Sequence, residues 1–312
     1  MSKLILIYTP YHQLFIGHLI HSRKLGSEDI FVLDFCENRS DLPAIYYHFG
    51  RKNGSILVLS LLLKLFGYSL MELFKIDTLL IPHSDGIIAN ILTHKTLNRR
   101  NNKIAIDIYH EGVLSFYNYK ENPIIFPTRK FFLSLLCFHI FKYKNGFLPI
   151  ESARTFYIPM NLGKHLAYKV KTQEIRLSSF AFGNNTDGRA LFLGQPDYYD
   201  RIRFQHLLCK AIADLKIERL YYKPHPVETS ILKFSNSSCE IIYLDKKIPI
   251  EKLASELDPK FVLSGLSSAV VSLISANPDV SFIAIVPTNT LVHARNTIAK
   301  VFKEIGVNLV SH

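Results

Sequence analysis

Three short stretches carry side chains that could hold an anion or move a proton. In YYKPHPVE (221–228), Pro224 and Pro226 fix φ and lack an N–H, so they end any regular element and stiffen the loop that presents His225. An imidazole there, next to Lys223, can bind a phosphate or protonate a leaving oxygen; a plain turn histidine is the other reading. In LSGLSSAVVSLI (263–274) a strand ends, a loop of small residues follows, and an apolar helix starts near Ser268. Free N–H groups and the hydroxyls of Ser267 and Ser268 at a helix N-terminus make an anion site, or an ordinary serine cap. In IYHEGVLSFY (108–117), Glu111 precedes Gly112 at a strand-to-loop turn, where a carboxylate can act as general base or be a solvated turn residue. His110 is its neighbour, but consecutive strand residues point to opposite sides.

The elements that must position these groups are legible as apolar runs. LILIYTP (4–10), DIFVLDF (29–35), IDTLLIP (76–82) and KIAIDIY (103–109) read as buried strands separated by helical periodicity, and the pattern restarts with ALFLGQP (190–196), IERLYYK (217–223), CEIIYLD (239–245), KFVLSG (260–265) and SFIAIVP (281–287). Alternating strands and helices predict an α/β fold with parallel, doubly wound sheets. The polar stretches fall just past strand C-terminal ends, where such sheets bind ligands. SSFAFGNNTDGR (178–189) reads as an interdomain linker, which predicts two Rossmann-like domains facing a central cleft. The expected division is 1–183 for an acceptor-side domain and 184–312 for a nucleotide-binding domain, whose last helix could pack back on the first.

Composition narrows the classes of function. Four scattered cysteines (Cys36, Cys137, Cys209, Cys239) form no CxxC pair, which points to reduced thiols in a cytoplasm. No DxD-type pair, HExxH, GxxxxGK[ST] or GxSxG occurs, so neither a metal-bridged nucleotide, a P-loop nor a serine-hydrolase elbow is supported. The formal net charge of +11 calls for an anionic partner. Nucleic-acid signatures are missing. An acidic substrate or an anionic inner-membrane surface fits better, because TRKFFLSLLCFHIFKYK (128–144) sets basic residues on both sides of an apolar run. That stretch and SILVLSLLLKLFGYSLMELF (55–74) are expected to be core helices, with peripheral attachment as the alternative to a span.

Taken in order, YTPYHQL, HEG, LGQP, KPHP, IPIE and SGLSS resemble the bacterial sialyltransferases of glycosyltransferase family 52 and the related capsular polysialyltransferases. The resemblance spans nearly the whole chain and implies a GT-B fold and inverting, metal-independent transfer of sialic acid from CMP-sialic acid. The acceptor it implies is a terminal sugar, galactose first, of a lipooligosaccharide or capsular glycan. It implies that Glu111 deprotonates the acceptor hydroxyl and that His225 contacts the donor phosphate. Ser267 and Ser268 would hold that phosphate, and Glu251 the ribose hydroxyls. Gly194 would let the backbone approach the nucleotide. Thr9, His110, Gln195, Lys223 and Pro226 complete the expected substrate contacts. No cofactor is expected beyond the donor itself, and a homodimer is compatible with the resemblance. His110 stands where the family has a first acidic residue. Two other readings stay open: a CMP-Kdo or CDP-polyol-dependent envelope transferase, and an inactive glycan- or membrane-binding homologue.

Overall fold

The computed structural model describes residues 2–25, 29–50, 67, 69–82, 87–97, 104–116, 153–166, 169–182, 187–195, 200–226, 228–234, 239–287 and 293–311. The apolar stretch 131–141 lies outside these residues, as does 55–74 apart from Gly67 and residues 69–74. No helix among the described residues is long and apolar enough to cross a membrane.

The chain divides into two compact units. The first draws on Met1–Glu111, Asn118–Ile158 and Leu166–Ile175. Its strands are β1 (Ser2–Ile7), β2 (Ile30–Asp34), β3 (Ile45–His48), β4 (Ile76–Pro82), β5 (Ala105–Tyr109), β6 (Thr155–Pro159) and β7 (Thr172–Ile175), in the order β3-β2-β1-β4-β5-β6-β7. Every pairing from β3 to β6 is parallel. Strands such as LILI and TLLI are apolar without alternation, as expected where both faces of a parallel sheet are covered. Helix α1 (Pro10–His21) packs Phe15, Ile16 and Leu19 into this core; α2 (Ile87–Leu97) follows β4. Thr9 caps α1 by accepting from the His12 N–H, and Pro10 fills the first turn, where its missing N–H costs nothing.

The second unit comprises Gly112–Tyr117, Pro159–His165 and Arg176–His312. Strands β8 (Arg189–Leu193), β9 (Arg219–Lys223), β10 (Glu240–Tyr243), β11 (Phe261–Ser264), β12 (Ser281–Ile285) and β13 (Asn308–Val310) form an all-parallel sheet in the order β10-β9-β8-β11-β12-β13. Its helices are α3 (Arg201–Asp214), α4 (Ile250–Leu257), α5 (Ser268–Ala276) and α6 (His293–Glu304). The last of these, α6, belongs to this unit and packs on the 3-10 turn Val113–Phe116.

Contacts place the division at Arg176, whereas the sequence reading puts it after residue 183. Residues 178–182 of the expected linker are packed: Phe180 is buried, the Asn277 side-chain amide donates to the Phe180 carbonyl, and the Phe182 N–H donates to Asn277 Oδ1. One buried asparagine therefore satisfies the backbone of a segment whose composition alone suggested a free connector.

Strand order reverses between β1 and β4 in the first sheet and between β8 and β11 in the second. In doubly wound sheets the crevice at the carboxyl ends of the strands flanking such a reversal is the usual ligand position.

Candidate active site

In the second unit the crevice between β8 and β11 is spanned by one side chain. Gln195, just after β8, turns its Oε1 to accept from the Gly265 N–H (3.0 Å) and the Leu266 N–H (2.7 Å) of the loop leading into α5. Gly265 is obligatory for this contact, because a Cβ there would lie 1.7 Å from the nearest atom of the Gln195 side-chain amide. Gln195 thus sets the course of SGLSS, and α5 begins with Ser267 as its cap residue and Ser268 as its first helical residue. The Ser267 side chain makes no capping hydrogen bond and Ser268 is exposed, so both hydroxyls stand at a helix N-terminus with its N–H groups.

Gly112 borders the same place. Its φ is +115°, and a Cβ added to it would lie 2.7 Å from Ser268 Cβ and 3.0 Å from Ser268 Oγ. The glycine of HEG is therefore demanded by conformation and by proximity to α5 together. Gly112→Ala is expected to cost about 2–4 kcal/mol, summing positive-φ strain and overpacking. Urea unfolding of the variant and wild type measures this.

The neighbouring loop, after β9, is built on buried charge. Lys223 is 6% exposed, and its ammonium donates to the carbonyls of Pro224 (3.1 Å) and Lys246 (3.0 Å). Burial pushes its pKa down, against the pull of Glu251, Asp245 and Glu228. Glu251, in the first turn of α4 and 6% exposed, is pushed up to about 7 by burial; a hydrogen bond from its own N–H and the Lys223 charge act to lower it. A carboxyl whose folded pKa exceeds its unfolded value binds its proton more tightly when folded. Its contribution is therefore complete below the ordinary carboxyl range and is lost as pH rises through about 7. Glu251→Gln should accordingly flatten the decline of melting temperature with pH across that interval, which calorimetric scans at stepped pH measure.

His225 is partly exposed and Pro226 exposed. Burial pushes the imidazole below the ordinary histidine value; Glu228 acts to raise it and Lys223 to lower it further. The unliganded ring is thus neutral at neutral pH and offers one N–H donor. Glu228, which the sequence reading passed over, shapes the loop: its carboxylate accepts from the Tyr222 hydroxyl and from the His225 N–H (2.9 Å). Gly194 was expected to admit the nucleotide. Its missing side chain makes room instead for Glu228, since a Cβ at Gly194 would lie 2.3 Å from Glu228 Oε2.

In the first unit, Glu111 follows β5 with one carboxylate oxygen, Oε2, buried. Burial raises its pKa well above the ordinary carboxylate value. His110 is 0% exposed, packed against Tyr11 and Phe15, with its N–H donating to the Tyr157 carbonyl. Alternation along the chain turns His110 into the aromatic core. Thr9 Oγ1 accepts the His12 N–H as the cap of α1. Beside it, His12 is also buried, with Nδ1 accepting from the Tyr8 N–H (3.2 Å) and its ring edge-on to Tyr109. Burial pushes His12 down to about 3, so it is neutral. Its place in YTPYHQL was the available signal, yet nothing in the sequence distinguished it from a helix-face histidine.

Two doubly wound parallel sheets define a fold of the GT-B type. The fold is shared with the α/β-galactoside α-2,3-sialyltransferase of the luminous marine bacterium Photobacterium phosphoreum, at a TM-score of 0.54 and 13% identity over 99% of this chain and 98% of that one. It is shared also with spinosyn rhamnosyltransferase SpnG complexed with thymidine diphosphate (TM-score 0.55, 12% identity, 100% and 86% covered). A third example is the UDP-GlcNAc 2-epimerase of Neisseria meningitidis bound to UDP-GlcNAc (0.52, 11%, 96% and 85%). At such identities the likeness is one of fold. No curated protein sequence matches. The family profile of alpha-2,8-polysialyltransferase (POLYST) matches residues 84–285, well over half of the chain. The chain belongs to this family, and it is a sialyltransferase of the GT-B type.

Proposed function

We propose that the chain transfers sialic acid from CMP-sialic acid, with inversion and without a metal, to the end of a cell-surface glycan. The observation that carries this reading is the convergence of SGLSS and KPHP at the carboxyl ends of β11 and β9, with Gln195 tying the β8 end to SGLSS. Such a cluster of helix N–H groups, serine hydroxyls and an imidazole suits the single phosphate of a CMP-sugar. The acceptor hydroxyl oxygen attacks the anomeric carbon while its proton passes to the Glu111 carboxylate. The bond from that carbon to the phosphate oxygen breaks, and CMP departs with the electron pair. The phosphate's growing charge is met by His225, Ser267, Ser268 and the N-terminus of α5, and Glu251 holds the ribose. One displacement with one base inverts the anomeric centre.

For the acceptor, the family match favours a sialic acid-terminated chain over the galactose first expected, because the likeness to the galactoside sialyltransferase is one of fold only. The net charge of +11 suits such a polyanion. The test is incubation with labelled CMP-sialic acid and a panel of galactose-terminated and sialic acid-terminated oligosaccharides, with and without EDTA. Transfer to the sialylated acceptor, undiminished by EDTA, is expected. Transfer only to galactose would change the acceptor; no transfer to any acceptor, with no CMP binding, would end the proposal.

A further inference from the structure

We propose that Glu228 is the positioning residue of the donor site: it holds both the N–H and the carbonyl of His225 and sets a negative charge beside the imidazole that meets the donor phosphate. This deepens the donor-site reading above and rests on it.

The geometry around Glu228 is closed on every side. The residue is 4% exposed. Its Oε2 accepts from the His225 N–H, while its own N–H donates to the His225 carbonyl at 2.9 Å. The two bonds grip the N–H and the carbonyl of His225, between Pro224 and Pro226. Its Oε1 accepts from the hydroxyl of Tyr222, a fully buried ring that stacks within the β9 core and whose oxygen also accepts from the Leu232 N–H (3.2 Å). The loop is thereby anchored to the sheet through a carboxylate. Gly194, at the end of the next strand, leaves the space this carboxylate fills, so LGQP and KPHPVE describe one construction.

A carboxylate is the group that can accept from both donors, since an amide has a single acceptor oxygen and its NH2 would face the second donor; the two hydrogen bonds offset the cost of burying the charge. What only the charge provides is a field. Among the described residues, Glu228 favours imidazolium at His225 and Lys223 opposes it; Lys223 is itself held in check by Glu251, Asp245 and Glu228. Burial alone would keep the ring neutral. With Glu228 in place, an arriving phosphate can draw a proton onto the ring, and the bond becomes charge-assisted.

The test compares wild type, Glu228→Gln and Glu228→Asp, each with His225 and with His225→Ala, by CMP calorimetry from about pH 5.5 to about 8.5. If imidazolium binds the phosphate, affinity is high at low pH and falls as pH rises through the histidine pKa of the complex. Glu228→Gln should move that fall down by about one pH unit and weaken binding at neutral pH about tenfold. Glu228→Asp should keep the wild-type profile, and in the His225→Ala background the Gln substitution should shift nothing. A wild-type pH profile in Glu228→Gln, or an equal shift with alanine at 225, would overturn the proposal. Wild-type protein that binds no CMP would instead remove the donor site on which it rests, so the two failures are told apart by the wild-type control.

Discussion

Glu111→Gln is expected to lower the turnover number by about 10³-fold, within the range for loss of a general base, while the dissociation constant for CMP stays at the wild-type value. The substitution keeps the size and polarity of the side chain, so the turn into Gly112 and the contact of Gly112 with Ser268 persist. What disappears is the ability to take a proton. Because burial raises the Glu111 pKa, its carboxylate is a stronger base than an exposed one and is fully formed only at higher pH. In the wild type, kcat/KM should therefore rise with pH through a midpoint above the ordinary glutamate value of about 4.3, and the residual activity of Glu111→Gln should lack that limb. A variant that keeps most of its activity would place the base elsewhere; His110 is a poor successor, being sealed in the aromatic core.

His225→Ala should differ in kind, reducing both steps. Loss of a charge-assisted bond to phosphate weakens CMP binding about tenfold or more, and loss of stabilisation at the departing phosphate lowers kcat/KM by a further factor of about 10². The depressed pKa of the free imidazole adds a signature, because CMP binding then takes up a proton. Calorimetry in buffers of different ionisation enthalpy should detect that uptake in the wild type and not in His225→Ala. Equal CMP affinities for the two proteins would assign the phosphate to α5 alone.

Much of this arrangement was legible because local signals agreed with tertiary demands. The apolar runs of β1, β4, β5, β8, β9, β11 and β12 are sheet interiors, and the chemistry-bearing stretches were found by looking past their ends. Strands β3, β6, β7 and β13 were not foreseen. Three are four residues or shorter and lie at a sheet edge, where IYYH leaves Ile45 and Tyr47 exposed and carries no clean alternation. The structural roles of Gly194 and Gln195 were not legible for a different reason. Each looked like a ligand contact from its place after a strand, yet one makes room for Glu228 and the other holds Gly265 and Leu266. Partners more than thirty residues away in the chain decide such roles, and no local pattern encodes them. Glu228 was missed although its hydrogen-bond partners Tyr222 and His225 are close in the chain, because one acidic residue after a proline turn carries no pattern of its own. The passage of Gly112–Tyr117 into the second unit likewise depends on packing against α5 and α6.

The central claim is that the crevice between β8 and β11, with the loop after β9, holds the donor phosphate. A crystal structure of the protein with CMP tests it most directly. The account predicts the phosphate at the N-terminus of α5, within hydrogen-bond reach of the hydroxyls of Ser267 and Ser268 and of the His225 ring, with the ribose hydroxyls on Glu251. CMP bound away from both SGLSS and KPHP would contradict it.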